Sequence, residues 1–126
     1  MAEPHVRKVV GIVGPCGSGK TTLVKRLREL GISTRHIAQE HSYVSAMWQI
    51  ISNPDYLIFL DASYTETVRR RKLIWNLDEY EEQHRRLAHA RLHADLYIFT
   101  DPLTPEQVFQ IAKNFLVQHA VYPKDR

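Results

Sequence analysis

The sequence predicts an α/β fold of three layers, in which helices cover both faces of a short parallel β-sheet. Apolar runs alternate with segments of helical periodicity, and a glycine-rich loop at residues 14–21 joins the first apolar run to the first helical segment. The 126 residues suffice for one domain, residues 1–126, with little room for a second. Ligands of such sheets bind beyond the carboxyl ends of the strands, which is where this loop must lie.

The first half of the chain contains the loop and the elements that flank it. Residues 9–13 are predicted to form a strand, and a helix with leucines at helical spacing follows the loop and ends at Gly31. Residues 33–39 are predicted to form a second strand, and residues 42–52 a short amphipathic helix. The residues of this helix expected in the core are Val44, Met47, Trp48 and Ile51.

The second half continues the alternation of strands and helices. Residues 56–60 are a continuous apolar run, typical of a parallel strand covered on both faces. N-cap signals at Ser63 and Asn76 predict two helices joined by a hinge, and residues 94–100 predict a further strand. Thr104, followed by Pro at N1 and Gln at N3, is expected to begin the last helix. The buried face of that helix is predicted to consist of Val108, Ile111, Phe115 and Leu116.

The composition argues against several classes of protein. No segment has the uninterrupted apolar length of a membrane span, and the first residues do not have the pattern of a signal peptide, so a cytoplasmic location is expected. A single cysteine excludes an internal disulfide framework. The net charge of +3 is modest and gives no strong reason to expect nucleic acid as a partner.

The loop at residues 14–21 fits the pattern G-x-x-x-x-G-K-[ST] at every fixed position. Its glycines permit positive φ, so that backbone N–H groups can converge on phosphate oxygens at the positive end of the following helix. Lys20 is expected to reach the β- and γ-phosphates, and the Thr21 hydroxyl to bind Mg²⁺. The predicted phosphate-binding residues are Gly14, Pro15, Cys16, Gly17, Ser18, Gly19, Lys20, Thr21 and Thr22.

Two carboxylates are expected beside this loop, because each ends a predicted strand at the same edge of the sheet. Glu40 and Asp61 are both candidates for the Mg²⁺ shell, and Glu40 is also a candidate base for the hydroxyl of a substrate. Asp61 has an alternative role as a cap of the next turn. His41 is an alternative to Glu40, although a single histidine is more often structural.

Arginines cluster in the middle of the chain, at residues 69–71 and again at Arg85, Arg86 and Arg91. If the hinge near Asn76 folds the second group back, residues 69–93 form a lid in which Arg71 and Arg85 act on the transferring phosphoryl group. The alternative is a solvated basic face that pairs with neighbouring acids.

The loop and its flanks resemble the Walker A loop of P-loop nucleoside triphosphatases and kinases. Residues 57–71 and 94–106 are similar to the second half of small P-loop kinases, a group that includes nucleoside monophosphate and shikimate kinases. This resemblance implies a P-loop kinase-like fold with an arginine-rich helical lid. It also implies that Arg70 or Arg71 lies over the nucleotide. The turn that is implied to contact the base runs from Thr100 to Leu103 and includes Asp101 and Pro102.

The chain also departs from that group. The group has a further strand and a substrate-binding insert before the strand that ends at Asp61, and here only residues 42–52 remain. We therefore expect an acceptor pocket that is either open or completed by a second copy of the chain. Within the resemblance, Glu40 matches the acid that orients the acceptor hydroxyl.

Three functions follow from these residues. The first is a small kinase that uses ATP and Mg²⁺ to phosphorylate a small acceptor. The second is a nucleotide-binding accessory protein or GTPase-like switch, although the guanine-reading N-K-x-D pattern is missing. The third is a kinase that acts on a nucleic-acid end, which the ordinary charge and the few aromatic residues near the arginines disfavour.

Overall fold

Four parallel strands form the centre of the fold. The structure is a computed structural model that describes residues 7–71 and 74–121, with only the backbone of Arg71. The strands are β1 (Val10–Val13), β2 (Thr34–His36), β3 (Tyr56–Asp61) and β4 (Leu96–Phe99). Their order in the sheet is β2-β1-β3-β4, so that the chain leaves β1 toward one side and later returns on the other. The carboxyl end of β1 therefore lies at a topological switch point.

Helices cover both faces of this sheet. They are α1 (Lys20–Glu29), α2 (Tyr64–Arg71), α3 (Leu77–His93) and α4 (Pro105–Gln118). The two faces of the sheet have separate cores, because successive residues of β3 point to opposite faces. Ile58 packs with α1 and α4 on one face, whereas Leu57 packs with Leu87 and Ala90 of α3 on the other. This arrangement confirms the predicted mixed α/β class with a parallel sheet. No helix within residues 7–71 and 74–121 is long and apolar enough to cross a membrane.

The helix ends agree closely with the sequence signals. The side chains of Asn76 and Thr104 each accept a hydrogen bond from the backbone N–H three residues on. The side chains of Glu79 and Gln107 in turn accept from the backbone N–H of the cap residue. Gly31 ends α1 with φ of +86°, and its N–H donates to the carbonyl of Arg28. These ends were predictable because caps depend on residues that are neighbours in the chain.

Residues 42–52 do not form the predicted amphipathic helix, and only a π-helical turn forms, Trp48–Ser52. The side chain of Gln39 holds this segment instead. Its Nε2 donates to the carbonyl of Val44 at 2.9 Å, and its Oε1 accepts from the backbone N–H of Trp48 at 2.8 Å. Trp48 is buried as predicted, whereas two other residues expected in the core are exposed, Val44 by 46% and Ile51 by 72%.

Two smaller predictions also need correction. The second strand covers only Thr34–His36, because the chain leaves the sheet and forms a 3-10 turn at Gln39–His41. In α4, Phe109 and Ala112 are buried together with Val108 and Leu116, whereas Ile111 is exposed. The packed stripe of α4 is therefore rotated relative to the predicted one.

The N-cap of α4 yields a stability prediction. Thr104→Ala removes the side-chain oxygen that accepts from the Gln107 N–H, and we expect a loss of about 1 kcal/mol in the free energy of unfolding. Thr104→Ser keeps the oxygen and should retain most of that free energy. Urea denaturation of the three proteins measures the difference, and equal midpoints would contradict the assigned cap.

Candidate functional site

The loop after β1 has the backbone shape that the glycines predict. Gly17 and Gly19 have φ of +84° and +99°, values that L side chains rarely adopt. Gly14 lies so close to β3 that an added Cβ would be 2.1 Å from the carbonyl oxygen of Leu60. Gly19 is also the N-cap of α1, and no side chain caps the first N–H groups of that helix. The loop thus directs uncapped backbone donors outward.

A cavity of about 750 Å³ opens in front of this loop. It extends from the start of α1 and the segment after β2 to α2 and the turn after β4. The structure brings most of the predicted site residues to its wall. They are Cys16, Gly17, Ser18, Gly19, Lys20, Thr21, Thr22, Glu40, Arg70, Asp101 and Leu103.

Lys20 and Glu40 form a buried ion pair on this wall. The Nζ atom of Lys20 lies 2.8 Å from Oε2 of Glu40, and the two side chains are only 5% and 4% exposed. Nζ also donates to the carbonyls of Gly14 at 2.6 Å and Pro15 at 3.0 Å. Gly14 and Pro15 thus contribute to the site through their backbone, although they do not line the cavity. A buried ammonium needs such compensation, because its desolvation costs several kcal/mol.

Two buried polar atoms next to this pair have no partner within the described part of the chain. They are Oγ of Ser18 and Oε1 of Glu40. Ser18 is 1% exposed and Glu40 is 3% exposed, so these atoms have little access to bulk water. Buried polar groups almost always have a hydrogen-bond partner, and exceptions concentrate at sites that bind something. Both atoms belong to residues that line the cavity.

Arg70 is fixed between the loop and the turn after β4. Its guanidinium donates to the hydroxyl and the carbonyl of Thr100, each at 2.8 Å, and to the Gly17 carbonyl at 3.4 Å. Glu66 accepts from Arg70 and from Arg69, and the hydrogen bond from Arg69 is the main cause that lowers the pKa of Glu66. The Arg69 side chain is 72% exposed. The side chain of Arg71 lies outside what the structure describes.

Asp61 does not line the cavity, and the side chain that accepts a backbone N–H at the start of α2 belongs to Ser63. The Asp61 carboxylate accepts from the backbone N–H of Ala62 at 2.9 Å and from the hydroxyl of Tyr97 at 2.5 Å. Burial, with this hydrogen bond, raises the pKa of Tyr97 to about 12. His84 approaches the same carboxylate at 3.5 Å, and burial lowers the pKa of His84. Both oxygens of this carboxylate have partners here, and Asp61 as a Mg²⁺ ligand stays a prediction.

Arg85 also does not reach the cavity, and α3 is not a lid over it. Leu87 and Ala90 are buried against the sheet, which turns Arg85 toward solvent, where it pairs with Glu82 at 3.0 Å. Arg86 lies over the ring of Tyr43, 4.3 Å from its centroid. Arg85 and Arg86 are therefore not on the cavity wall with Arg70. Both helices form where predicted, but α3 is a layer of the core.

The turn after β4 supplies the apolar end of the cavity. Leu103 lines it together with Pro105 and Val108. Oδ1 of Asp101 accepts from the backbone N–H of Ser63 at 3.0 Å, which holds this turn against the start of α2. Pro102 is exposed and does not line the cavity. This end is therefore suited to a flat apolar group.

Two polar residues of the cavity, His36 and Glu66, were not considered for the site from the sequence. His41 was an alternative to Glu40, and Thr100 began the turn that the resemblance implies to contact the base. His36 is the last residue of β2, which ends earlier than predicted. Burial and the charge of Lys20 lower the pKa of His36. No local pattern marks these residues, because each reaches the cavity through the packing of another element.

The chain matches no protein-family model, and no curated protein is significantly similar to it. Its function is therefore to be inferred from the chemistry of the cavity. That cavity combines uncapped helix N–H groups, one buried lysine, one buried carboxylate and a fixed arginine. Such a set can hold an anion with several oxygens and can accept a proton nearby.

The close approach of the loop to β3 yields a test of its geometry. Gly14→Ala should destabilise the protein by about 1–3 kcal/mol more than Gly19→Ala, because only the first Cβ meets the Leu60 carbonyl. Gly19→Ala serves as the matched control, since its Cβ meets no described heavy atom within 4 Å. In that variant only the positive φ should lower the free energy of unfolding, by about 1–2 kcal/mol. Chemical denaturation of both variants measures this difference, and the reverse order would contradict the loop conformation.

Proposed function

We propose that this protein binds a nucleoside triphosphate, ATP in the first place, with Mg²⁺ and transfers its γ-phosphoryl group to a small acceptor. On this proposal the protein is a P-loop kinase of the cytoplasm. One observation carries it: Lys20 is buried at the end of the glycine loop and has one anionic partner, Glu40, among the described residues. A lysine in that position is poised to exchange a carboxylate for phosphate oxygens.

The phosphates would lie along the loop and the start of α1. Gly19 offers no side-chain cap, and the N–H groups of a helix start attract anions through both hydrogen bonds and the helix dipole. The hydroxyl of Ser18 has no partner in the described ranges and would become an additional donor. Thr21 is exposed on the same wall, and its hydroxyl would coordinate the Mg²⁺ that bridges the phosphates.

The base would occupy the other end of the cavity. Leu103 and Val108 offer apolar contact there, and Arg70 lies between this end and the loop. The bonds from Arg70 to Thr100 hold the guanidinium in one orientation, so little entropy is lost when a ligand arrives. A purine with its triphosphate fits the polarity of this cavity from one end to the other.

Glu40 would act on the acceptor once Lys20 turns to the phosphates. The carboxylate then loses its ion-pair partner and can accept the proton of an acceptor hydroxyl. The acceptor oxygen forms a bond to the γ-phosphorus as the bond to the β-γ bridging oxygen breaks, and the proton goes to Glu40. His41 lies beside this carboxylate, with its Nε2 3.9 Å from Oε2 of Glu40. The acceptor itself is a small molecule on this open side, where a second copy of the chain could also complete the pocket.

The other two functions predict different ligands. A GTP-dependent accessory protein would prefer guanine, and the N-K-x-D pattern that reads guanine is missing from the sequence. A nucleic-acid kinase would need several cations along one surface, but Arg85 pairs with Glu82 and Arg86 lies over Tyr43. ATP and a small acceptor are therefore our preferred ligands.

The first test is nucleotide binding by thermal shift. We expect ATP with Mg²⁺ to raise the melting temperature more than GTP with Mg²⁺, because a ligand that binds only the folded state stabilises it. Lys20→Met alone leaves Glu40 buried without a counter-ion, which costs about 3–5 kcal/mol in general. The double variant Lys20→Met/Glu40→Gln removes both charges and should fold while losing the shift. An undiminished shift in the folded double variant would refute the site.

The second test separates binding from turnover. Glu40→Gln removes the charge that competes for Lys20, so ATP should bind at least as tightly as to the natural sequence. Loss of the base should lower the rate of phosphoryl transfer from ATP to an acceptor by about 10²–10⁴-fold. Until an acceptor is found, the slow hydrolysis of ATP is the rate to measure, and it should fall by a similar factor. Turnover equal to that of the natural sequence would remove Glu40 from the mechanism and leave only the binding site.

A further inference from the structure

Three metal-binding side chains meet at the mouth of the cavity, beside the lysine pair. Sγ of Cys16, Nε2 of His41 and an oxygen of Glu40 form a triangle with edges of 3.7, 4.0 and 3.9 Å. We propose that these three residues bind a divalent transition metal, Zn²⁺ in the first place, and leave its remaining position open to the cavity. This inference concerns the protein without nucleotide and does not depend on the kinase proposal.

The edges of the triangle fit a tetrahedral ion. Zinc binds sulfur at about 2.3 Å and nitrogen or carboxylate oxygen at about 2.0–2.2 Å, which separates its ligand atoms by roughly 3.5 Å. The three edges here exceed that separation by a few tenths of an ångström. Small side-chain rotations would therefore close the site, and His41 has the freedom for them because its side chain is 61% exposed.

Outer contacts hold two of the three ligands in place. The side chain of Gln83 donates to Sγ of Cys16 at 3.2 Å and accepts from the Cys16 backbone N–H at 2.9 Å. Lys20 holds Oε2 of Glu40, whereas Oε1 is buried without a partner among the residues described. Such outer hydrogen bonds orient ligands in metal sites and influence their affinity. The oxygen that faces Cys16 and His41 is Oε2, so a bound metal would share this oxygen with the lysine.

The donor set selects the kind of metal. One thiolate, one imidazole and one carboxylate suit zinc or a similar borderline ion, whereas Mg²⁺ prefers oxygen ligands alone. The thiolate and the carboxylate offset most of the combined positive charge of the ion and of Lys20, and binding releases the thiol proton of Cys16 to solvent. Three protein ligands with an open fourth position characterise sites that bind water or a substrate atom. Cys16, Glu40 and His41 all line the cavity, so that position is accessible to a small ligand.

Metal binding by the purified protein without any histidine tag tests this proposal. Competition with a chromophoric zinc chelator should give one Zn²⁺ per chain, unaffected by millimolar Mg²⁺. Co²⁺ in place of zinc should give a thiolate-to-cobalt charge-transfer band in the near ultraviolet. Cys16→Ser and His41→Ala should each weaken zinc binding by at least about 10–100-fold, the range known for loss of even an outer-shell contact.

His36→Ala is the matched control, because His36 lines the same cavity but lies outside the triangle. It should leave zinc affinity unchanged. No stoichiometric zinc, a cobalt complex without the charge-transfer band, or affinity that survives either ligand substitution in a folded variant would overturn the site. A loss of affinity in His36→Ala would overturn the ligand assignment. Nucleotide binding is absent from every readout, so failure here leaves the kinase proposal as it stands.

Discussion

The buried pairing of Lys20 with Glu40 is the interaction on which the rest of the site depends. An ammonium and a carboxylate, each at least nine-tenths buried, lie 2.8 Å apart, and two loop carbonyls complete the shell of the lysine and offset its desolvation. The pair ties the loop after β1 to the segment after β2. It also places one cation and one anion side by side, which a phosphoryl-transfer site and a metal site can each use.

The helix that covers the second face of the sheet supports this pair from behind. Gln83 of α3 binds both the backbone and the sulfur of Cys16, and the carbonyl of Arg86 accepts from Gln39. Arg86 also donates to the carbonyl of Glu40 at 3.4 Å. No residue of α3 is among those that line the cavity, and the helix contacts the loop and the Gln39 segment from the other side.

Asp61 and Glu40 illustrate how tertiary packing separates two similar sequence signals. Both carboxylates follow β-strand residues and both are buried. Asp61 ends a central strand, and its neighbour β4 carries Tyr97, whose hydroxyl takes one oxygen while the backbone of Ala62 takes the other. Glu40 follows an edge strand that ends early, so its carboxylate turns to the loop lysine. The side chains packed beside each strand end thus decided which acid faces the cavity.

The sequence by itself determined the α/β class, the glycine conformations of the loop after β1, the positions of three strands and the caps of α3 and α4. These features depend on residues that are close in the chain, where glycine conformations, apolar runs and capping side chains act locally. Tertiary structure alone decided the unwinding of residues 42–52, the outward direction of Arg85, and the meeting of Cys16 with Glu40 and His41. Those outcomes depend on side chains such as Gln39, Leu87 and Gln83, which lie far from their partners in sequence and meet them only when the sheet and its helices pack.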